Sequence, residues 1–138
     1  MPFRVFTGLF MLTSLVLAQQ PKAAPKPSET NYEMTTYHVA FLKRGPAWTP
    51  QVTEETKRIQ AGHMENIKRM ADTGKLVLAG PFADNGELRG MFVFHGASLD
   101  ELKKMAEHDP AVKAGRLVLE WHPWFSAKGI TIVQGDKK

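Results

Sequence analysis

QAGHMENIKRMADTGKLVLAGPF, residues 60–82, contains a helical repeat followed by a short apolar run that ends at Gly-Pro, and this combination is the strongest indication of the fold. The repeat places Ile59, His63 and Met70 on one face of a helix, and Gly74 suits the residue after its last turn. His63 therefore lies in the middle of the stripe that packs on a sheet. A polar ring in that position needs a hydrogen-bonding partner.

Composition and charge predict one globular domain. The chain has 138 residues, of which 43% are hydrophobic and 23% charged, values ordinary for a soluble domain. Its formal net charge is +4, but the basic residues are scattered, and no Gly-rich phosphate-binding motif occurs. We therefore expect no nucleic-acid partner and no nucleotide site.

Residues 1–18 are predicted to be a signal peptide. Arg4 forms a short positive region ahead of an apolar run, and Val16 and Ala18 provide the small residues of a cleavage site after Ala18. The alternative is an uncleaved anchor helix, although the run is shorter than the roughly 20 apolar residues that a bilayer requires. We expect a secreted or periplasmic protein without a stable membrane anchor. The absence of cysteine excludes disulfides and a lipoprotein anchor.

The remaining chain divides into a linker, a domain and a tail. Residues 19–33 contain three prolines among Lys, Ala and Ser, a composition typical of a flexible or polyproline-like linker. The folded domain is predicted to span residues 34–133 and to be followed by a polar tail, residues 134–138.

Periodicity and turn residues predict the order of strands and helices. The expected elements are a strand at 34–43, a helix ending near 73, strands at 75–79 and 88–94 joined by a hairpin turn at 84–87, a helix from 98 to 108, a strand from 117 that breaks at Pro123, and a short fifth strand at 130–133. The Asn-Gly pair in the turn tolerates positive φ at both central positions.

Capping residues predict where the helices begin and end. Either Thr49 or Thr53 can cap the first helix. Ser98 and Glu101 have the spacing of a capping box for the second helix, which is expected to stop at Asp109 because proline follows.

The order strand, helix, strand, strand, helix, strand favours a ferredoxin-like α+β sandwich, with both helices on one face of an antiparallel sheet. The first strand is largely apolar on both faces, since Tyr37, Val39 and Phe41 alternate with a second, mostly apolar set. Two helices cover only one face. We therefore expect the second face to be covered by another copy of the chain, as in a dimeric α/β barrel.

The chain resembles the YCII-related domain family over roughly residues 34–129. The resemblance lies in His63 followed by NIKRMADTGKLVLAGPF, and then in LRGMFVF, SLDEL and HDPAVKAGRLVLEWHPW. It implies a fold similar to dimeric α/β-barrel enzymes such as muconolactone isomerases. Some members of the family are degradative enzymes that eliminate halide from hydroxylated aromatics.

The resemblance implies that His63 and Asp109 are a catalytic pair. A carboxylate bonded to one ring nitrogen would fix the tautomer and leave the other nitrogen free to exchange a proton. Such a pair suits isomerisation or elimination. No thiol is present and Ser98 resembles a helix cap, so covalent catalysis is not expected, and no cofactor is predicted. The alternative is a core histidine beside an Asp-Pro turn.

Other polar residues suggest a substrate site or a metal site. Trp48, Arg89 and His38 are candidate substrate-binding residues, because an arginine can orient an anion and an indole can form a cavity wall. His38, Glu120 and His122 lie on strands expected to be neighbours, and two histidines with a carboxylate can bind a divalent metal. Their spacing is no metal motif, and polar positions at an interface or sheet edge are the alternative.

Three hypotheses remain open at this point. The first is a small enzyme that uses a His-Asp pair for acid-base chemistry on a small, cyclic or aromatic substrate. The second is a non-catalytic protein that binds a small ligand on the same dimeric scaffold. The third is a dimerisation module of the cell envelope.

Overall fold

The computed structural model describes residues 32–130, which form four strands and three helices. In chain order these elements are β1 (Met34–Arg44), α1 (Glu54–Asp72), β2 (Leu76–Pro81), β3 (Leu88–Phe94), α2 (Leu99–Glu107), α3 (Pro110–Lys113) and β4 (Leu117–Ala127).

The strands form one antiparallel sheet in the order β2-β3-β1-β4. β1 is central, and Ala40 lies between Phe92 of β3 and Trp121 of β4. This order with its two crossover helices is the ferredoxin-like α+β arrangement. The predicted fold class is confirmed.

The main core lies between the sheet and the helices. α1 contributes Met70, and α2 contributes Leu102 and Ala106. They pack against the sheet residues Ala40, Leu42, Leu76, Phe92 and Phe94. Burial of these side chains is the principal term that holds both helices on one face of the sheet.

A second, smaller cluster lies on the other face of the sheet. Tyr37, Val39 and Val93 are its buried members, and Phe41 and Met91 pack against them half-buried. The second face of the first strand is therefore apolar, as the alternation predicts.

The cap of α1 is Thr53, and Thr49 is not used. The Thr53 hydroxyl accepts the Thr56 N–H at 3.2 Å, and the Thr56 hydroxyl in turn bonds the Thr53 N–H at 2.8 Å. Helix α1 ends before Gly74, whose φ of +73° is the left-handed conformation that glycine adopts without strain.

Two sequence predictions about strand and turn geometry are wrong. β4 continues through Pro123 to Ala127, because β4 is an edge strand and an edge position does not need the N–H that proline lacks. In the β2–β3 connection Asn85 has a φ of +54°, but Gly86 is not in the left-handed region. The connection spans residues 82–87 and is longer than a two-residue hairpin turn.

The second helical region also differs from expectation. α2 ends at Glu107, and Pro110 starts a further short helix, α3, that was not predicted from the sequence. The Ser98 hydroxyl caps α2 by accepting the Glu101 N–H, while the Glu101 carboxylate pairs with Lys75. The Glu101 side chain is therefore engaged in an ion pair with the residue before β2.

Several predicted segments lie outside the described residues. These are the signal peptide at 1–18, linker residues 19–31, fifth-strand residues 131–133 and the tail at 134–138. Their assignments, and the predicted export, stay predictions. Within residues 32–130 no helix has the length and apolar character needed to cross a membrane.

Replacing Thr53 with alanine tests the assignment of the cap. The loss of its side-chain hydrogen bond is expected to lower the free energy of unfolding by about 1 kcal/mol. Thr49→Ala is the matched control, because the Thr49 hydroxyl accepts the exposed Gln51 N–H and caps no helix, and it should change stability by less than about 0.5 kcal/mol. Urea denaturation measures both values, and equal losses would contradict the assignment.

Candidate active site

The buried face of α1 presents three side chains to the rest of the domain: His63, Asn66 and Met70. Their spacing of three and four residues puts them on one stripe of the helix. Met70 packs in the core, whereas His63 and Asn66 form hydrogen bonds with a carboxylate from another segment of the chain.

That carboxylate belongs to Asp109, which is 0% exposed and caps α3. Its Oδ1 accepts the Ala111 N–H at 2.8 Å, as expected of an aspartate that precedes a helix starting with proline. Its Oδ2 lies 2.9 Å from His63 Nδ1 and accepts the Asn66 Nδ2–H, also at 2.9 Å. A single buried carboxylate therefore joins α1 to α3.

The close approach of α1 to α3 requires a glycine. A Cβ on Gly62 would lie 2.9 Å from Cγ of Pro110, closer than real contacts allow. The residue before His63 therefore has to lack a side chain for the histidine to reach Asp109.

The orientation of the Asn66 amide is fixed by Arg69. The Arg69 guanidinium donates to Asn66 Oδ1, so the amide nitrogen faces Asp109. Asn66 was not among the site residues predicted from the sequence. Its signal was an asparagine, a poor helix former, in the interior of a helix and one turn after a candidate catalytic histidine.

Hydrogen bonds keep Asp109 ionised. Burial by itself raises the pKa of this carboxyl, but hydrogen bonding and charge interaction with His63, together with the Asn66 and Ala111 donors, lower the pKa below its ordinary value. An ionised carboxylate has only acceptor atoms, so the 2.9 Å contact requires a proton on His63 Nδ1. In the neutral ring, Nε2 therefore carries the lone pair.

The His63 ring is largely enclosed, with 11% of its side chain exposed. It stacks on Phe92 of β3, with ring centroids 6.1 Å apart and an interplanar angle of 26°. Within residues 32–130, the hydrogen bond of this ring is the one at Nδ1, and Nε2 has no protein partner.

A cavity of about 600 Å³ lies at the end of the sheet where β1 ends and β4 begins. Trp48 and Arg89, two predicted substrate-binding residues, both line it. His63 does not line the cavity, but Gln60, one helical turn earlier on the same side of α1, does. The cavity therefore reaches α1 one helical turn before His63.

The hypothetical metal constellation is wrong. β4 pairs His122 with Val39, so His122 lies on the second face of the sheet, whereas His38 shares the helix-facing side with Ala40. Within residues 32–130 no group of three His, Cys, Asp or Glu side chains could hold a metal ion.

Glu120 is instead part of an exposed surface cluster. Its carboxylate bonds His122 at 2.9 Å and Lys43 at 3.1 Å, and these two partners lower the pKa of Glu120. His38 is half-buried away from the cavity, and its buried Nδ1 has no partner among residues 32–130.

The fold and this site define a ferredoxin-like α+β domain with a buried His-Asp pair. The sequence model of the YCII-related domain matches residues 38–122, which is more than half of the chain. The chain therefore belongs to the YCII-related family, as the resemblance implied.

Among solved structures, the chain is similar to 5-chloro-2-hydroxyhydroquinone dehydrochlorinase (TftG) from Burkholderia phenoliruptrix AC1100 in complex with 2,5-dihydroxybenzoquinone. The identity is 20%, the TM-score is 0.47, and the match covers 64% of this chain and 92% of that chain. A search of curated proteins finds no match.

The lowered pKa of Asp109 predicts how stability depends on pH. Above an ordinary aspartate pKa of about 4, the carboxylate is ionised in both folded and unfolded chains, and its stabilising effect is complete. As pH falls through the lower folded pKa, the unfolded chain binds the proton first, so stability is lost. The free energy of unfolding, measured with urea between pH 2 and 7, should fall at the acid end of this range in the wild type. We call this fall the acid limb.

Asp109→Asn should flatten the acid limb and lower the free energy of unfolding by about 1–3 kcal/mol at neutral pH. The reason is that the new amide places N–H donors opposite the N–H donors of His63 and Asn66. The exposed Asp100→Asn is the control and should retain the wild-type limb. An unchanged limb in Asp109→Asn would contradict the assignment.

Proposed function

We propose that this protein is a small-molecule enzyme in which Nε2 of His63 transfers a proton to and from the substrate. The observation that carries the proposal is the buried 2.9 Å contact between Asp109 and Nδ1, which leaves Nε2 without a protein partner within residues 32–130. In a purely structural histidine, we would expect both ring nitrogens to be satisfied by the fold.

Asp109 has a positioning role in this proposal. It holds the ring in the tautomer whose Nε2 can accept a proton, and its negative charge stabilises the imidazolium that then forms. Asn66 and the Ala111 N–H keep the carboxylate in place. Enclosure of the ring strengthens this charge interaction, because little water competes with it.

The chemistry that fits is removal of a proton next to a carbonyl group. Nε2 takes the proton as the C–H bond breaks, and the electron pair moves into an enolate. In a substrate with a conjugated C=C bond, return of the proton from Nε2 to the far carbon of the dienolate completes an isomerisation. In a substrate with a leaving group on the neighbouring carbon, that group departs with its bonding pair as the C=C bond forms, and Nε2 then releases the proton to solvent. Neither course requires a covalent bond to the protein.

Solvent-deuterium exchange into small cyclic ketones tests the proposal. NMR in D₂O measures exchange at the carbon next to the carbonyl for a panel of such ketones. His63→Asn retains an amide N–H at the position of Nδ1 but lacks Nε2, so the exchange rate should fall by about 10²- to 10⁴-fold. His108→Asn, at the exposed end of α2, is the control and should leave the rate unchanged.

Exchange that survives in His63→Asn would contradict the proposed role of Nε2. Exchange no faster than in buffer for every ketone of the panel would favour the non-catalytic alternative, a small-ligand-binding protein on the same scaffold.

We also propose that the protein is a homodimer joined through the second face of the sheet. The main core lies between α1 and α2 and one face of the sheet, so these helices leave the opposite face uncovered. The opposite face presents Phe41 and Met91 half-buried beside the apolar cluster of Tyr37, Val39 and Val93. A second copy of this face would bury these side chains further.

Met91→Glu tests the dimer. A carboxylate at this position would be desolvated in the interface, so the variant should shift from the dimer mass toward the monomer mass in light scattering coupled to size exclusion. Val52→Glu, at a position 76% exposed ahead of α1, is the control and should remain dimeric. A wild-type chain that is monomeric at all concentrations would contradict the proposal.

A further inference from the structure

The charged side chains that line the 600 Å³ cavity are three arginines: Arg44, Arg89 and Arg116. They come from the end of β1, the start of β3 and the residue before β4. The antiparallel order brings these three positions to the same end of the sheet. No Asp or Glu of the described chain lines the cavity.

Each guanidinium is held by a backbone carbonyl, and none forms an ion pair within residues 32–130. Arg44 donates to the Asn85 carbonyl at 2.6 Å. Arg116 donates to the Thr49 carbonyl at 3.1 Å. Arg89 donates to the Gly86 carbonyl at 3.4 Å. A guanidinium has five N–H donors, so most donors of each arginine stay available. These bonds orient the arginines without neutralising them.

Trp48 positions two of the arginines. The Arg44 guanidinium lies 4.0 Å from the centroid of the indole, and the Arg89 guanidinium lies 5.8 Å from it. Stacking on an aromatic ring restricts a guanidinium while leaving its edge free for hydrogen bonds. In addition, Nε of Arg44 is buried and has no partner among the described residues.

Three like charges converging on one cavity repel one another unless an anion lies between them. Guanidinium edges match the two oxygens of a carboxylate or phosphate. A cavity of about 600 Å³ has the size of ordinary small-molecule sites. We propose that it binds a small molecule through a carboxylate or phosphate group held by Arg44, Arg89 and Arg116.

This inference deepens the proposed function and rests on it, because it assigns a substrate class to the same site. Gln60 lines the cavity one turn of α1 before His63. The arginines would thus bind the anionic group of the substrate, and the reacting part of the substrate would extend along α1 toward His63 and Asp109.

The test is an NMR titration of the Trp48 indole N–H in the full chain, assigned with Trp48→Phe. The probes are benzoate, inorganic phosphate and benzamide, which has the shape of benzoate without its charge. Benzoate, phosphate or both should give a saturable shift, and the stronger of the two identifies the preferred oxyanion. Benzamide should give none.

Arg89→Gln is the principal variant, because the carbonyl contact of Arg89 is the longest of the three and its loss should disturb the fold least. It should weaken oxyanion binding at least about tenfold. Arg58→Gln, on the exposed side of α1 and outside the cavity, is the matched control and should bind as the wild type does. Arg44→Gln should repeat the loss.

The inference is overturned if neither anion shifts the Trp48 signal, if benzamide shifts it as benzoate does, or if Arg58→Gln weakens binding as much as Arg89→Gln. His63→Asn should retain anion binding. A failure of proton exchange with anion binding intact therefore contradicts the proposed function alone, and a failure of anion binding with exchange intact contradicts this inference alone.

Discussion

The buried carboxylate of Asp109 is the constraint on which the site depends. An ionised group without solvent exposure is costly unless its oxygens are satisfied, and here His63, Asn66 and the Ala111 N–H satisfy them. Two of these donors belong to α1 and the third to α3. The requirement to bond one carboxylate therefore sets the distance between the two helices, and Gly62 is the residue that permits it.

The Asp109 carboxylate also determines the tautomer of His63. Because Asp109 is ionised and accepts from Nδ1, the fold determines which nitrogen of the neutral His63 ring carries the lone pair. α1 carries the histidine in its middle and Gln60 one turn earlier, at the cavity that the arginines line. A single helix therefore links the proposed proton-transfer group to the proposed anion site.

The fold class could be predicted from the order of elements, and the histidine–aspartate pair from the family resemblance. Pro123 could not be placed within a strand, since a proline is tolerated only at an edge and the edge is known only from the sheet order. The strand register was needed to separate His38 from His122, because directly paired residues share a face. Asn66 was missed because apolar periodicity does not distinguish a buried amide from a solvated one.

The protonation of the two imidazole nitrogens of His63, measured by ¹⁵N NMR at a pH where the ring is neutral, shows which nitrogen can act as a base. We expect a proton on Nδ1, hydrogen-bonded to Asp109, and no proton on Nε2. A neutral ring with its proton on Nε2 would contradict this expectation, because that nitrogen could then not act as the base and the contact with the carboxylate would lack a donor.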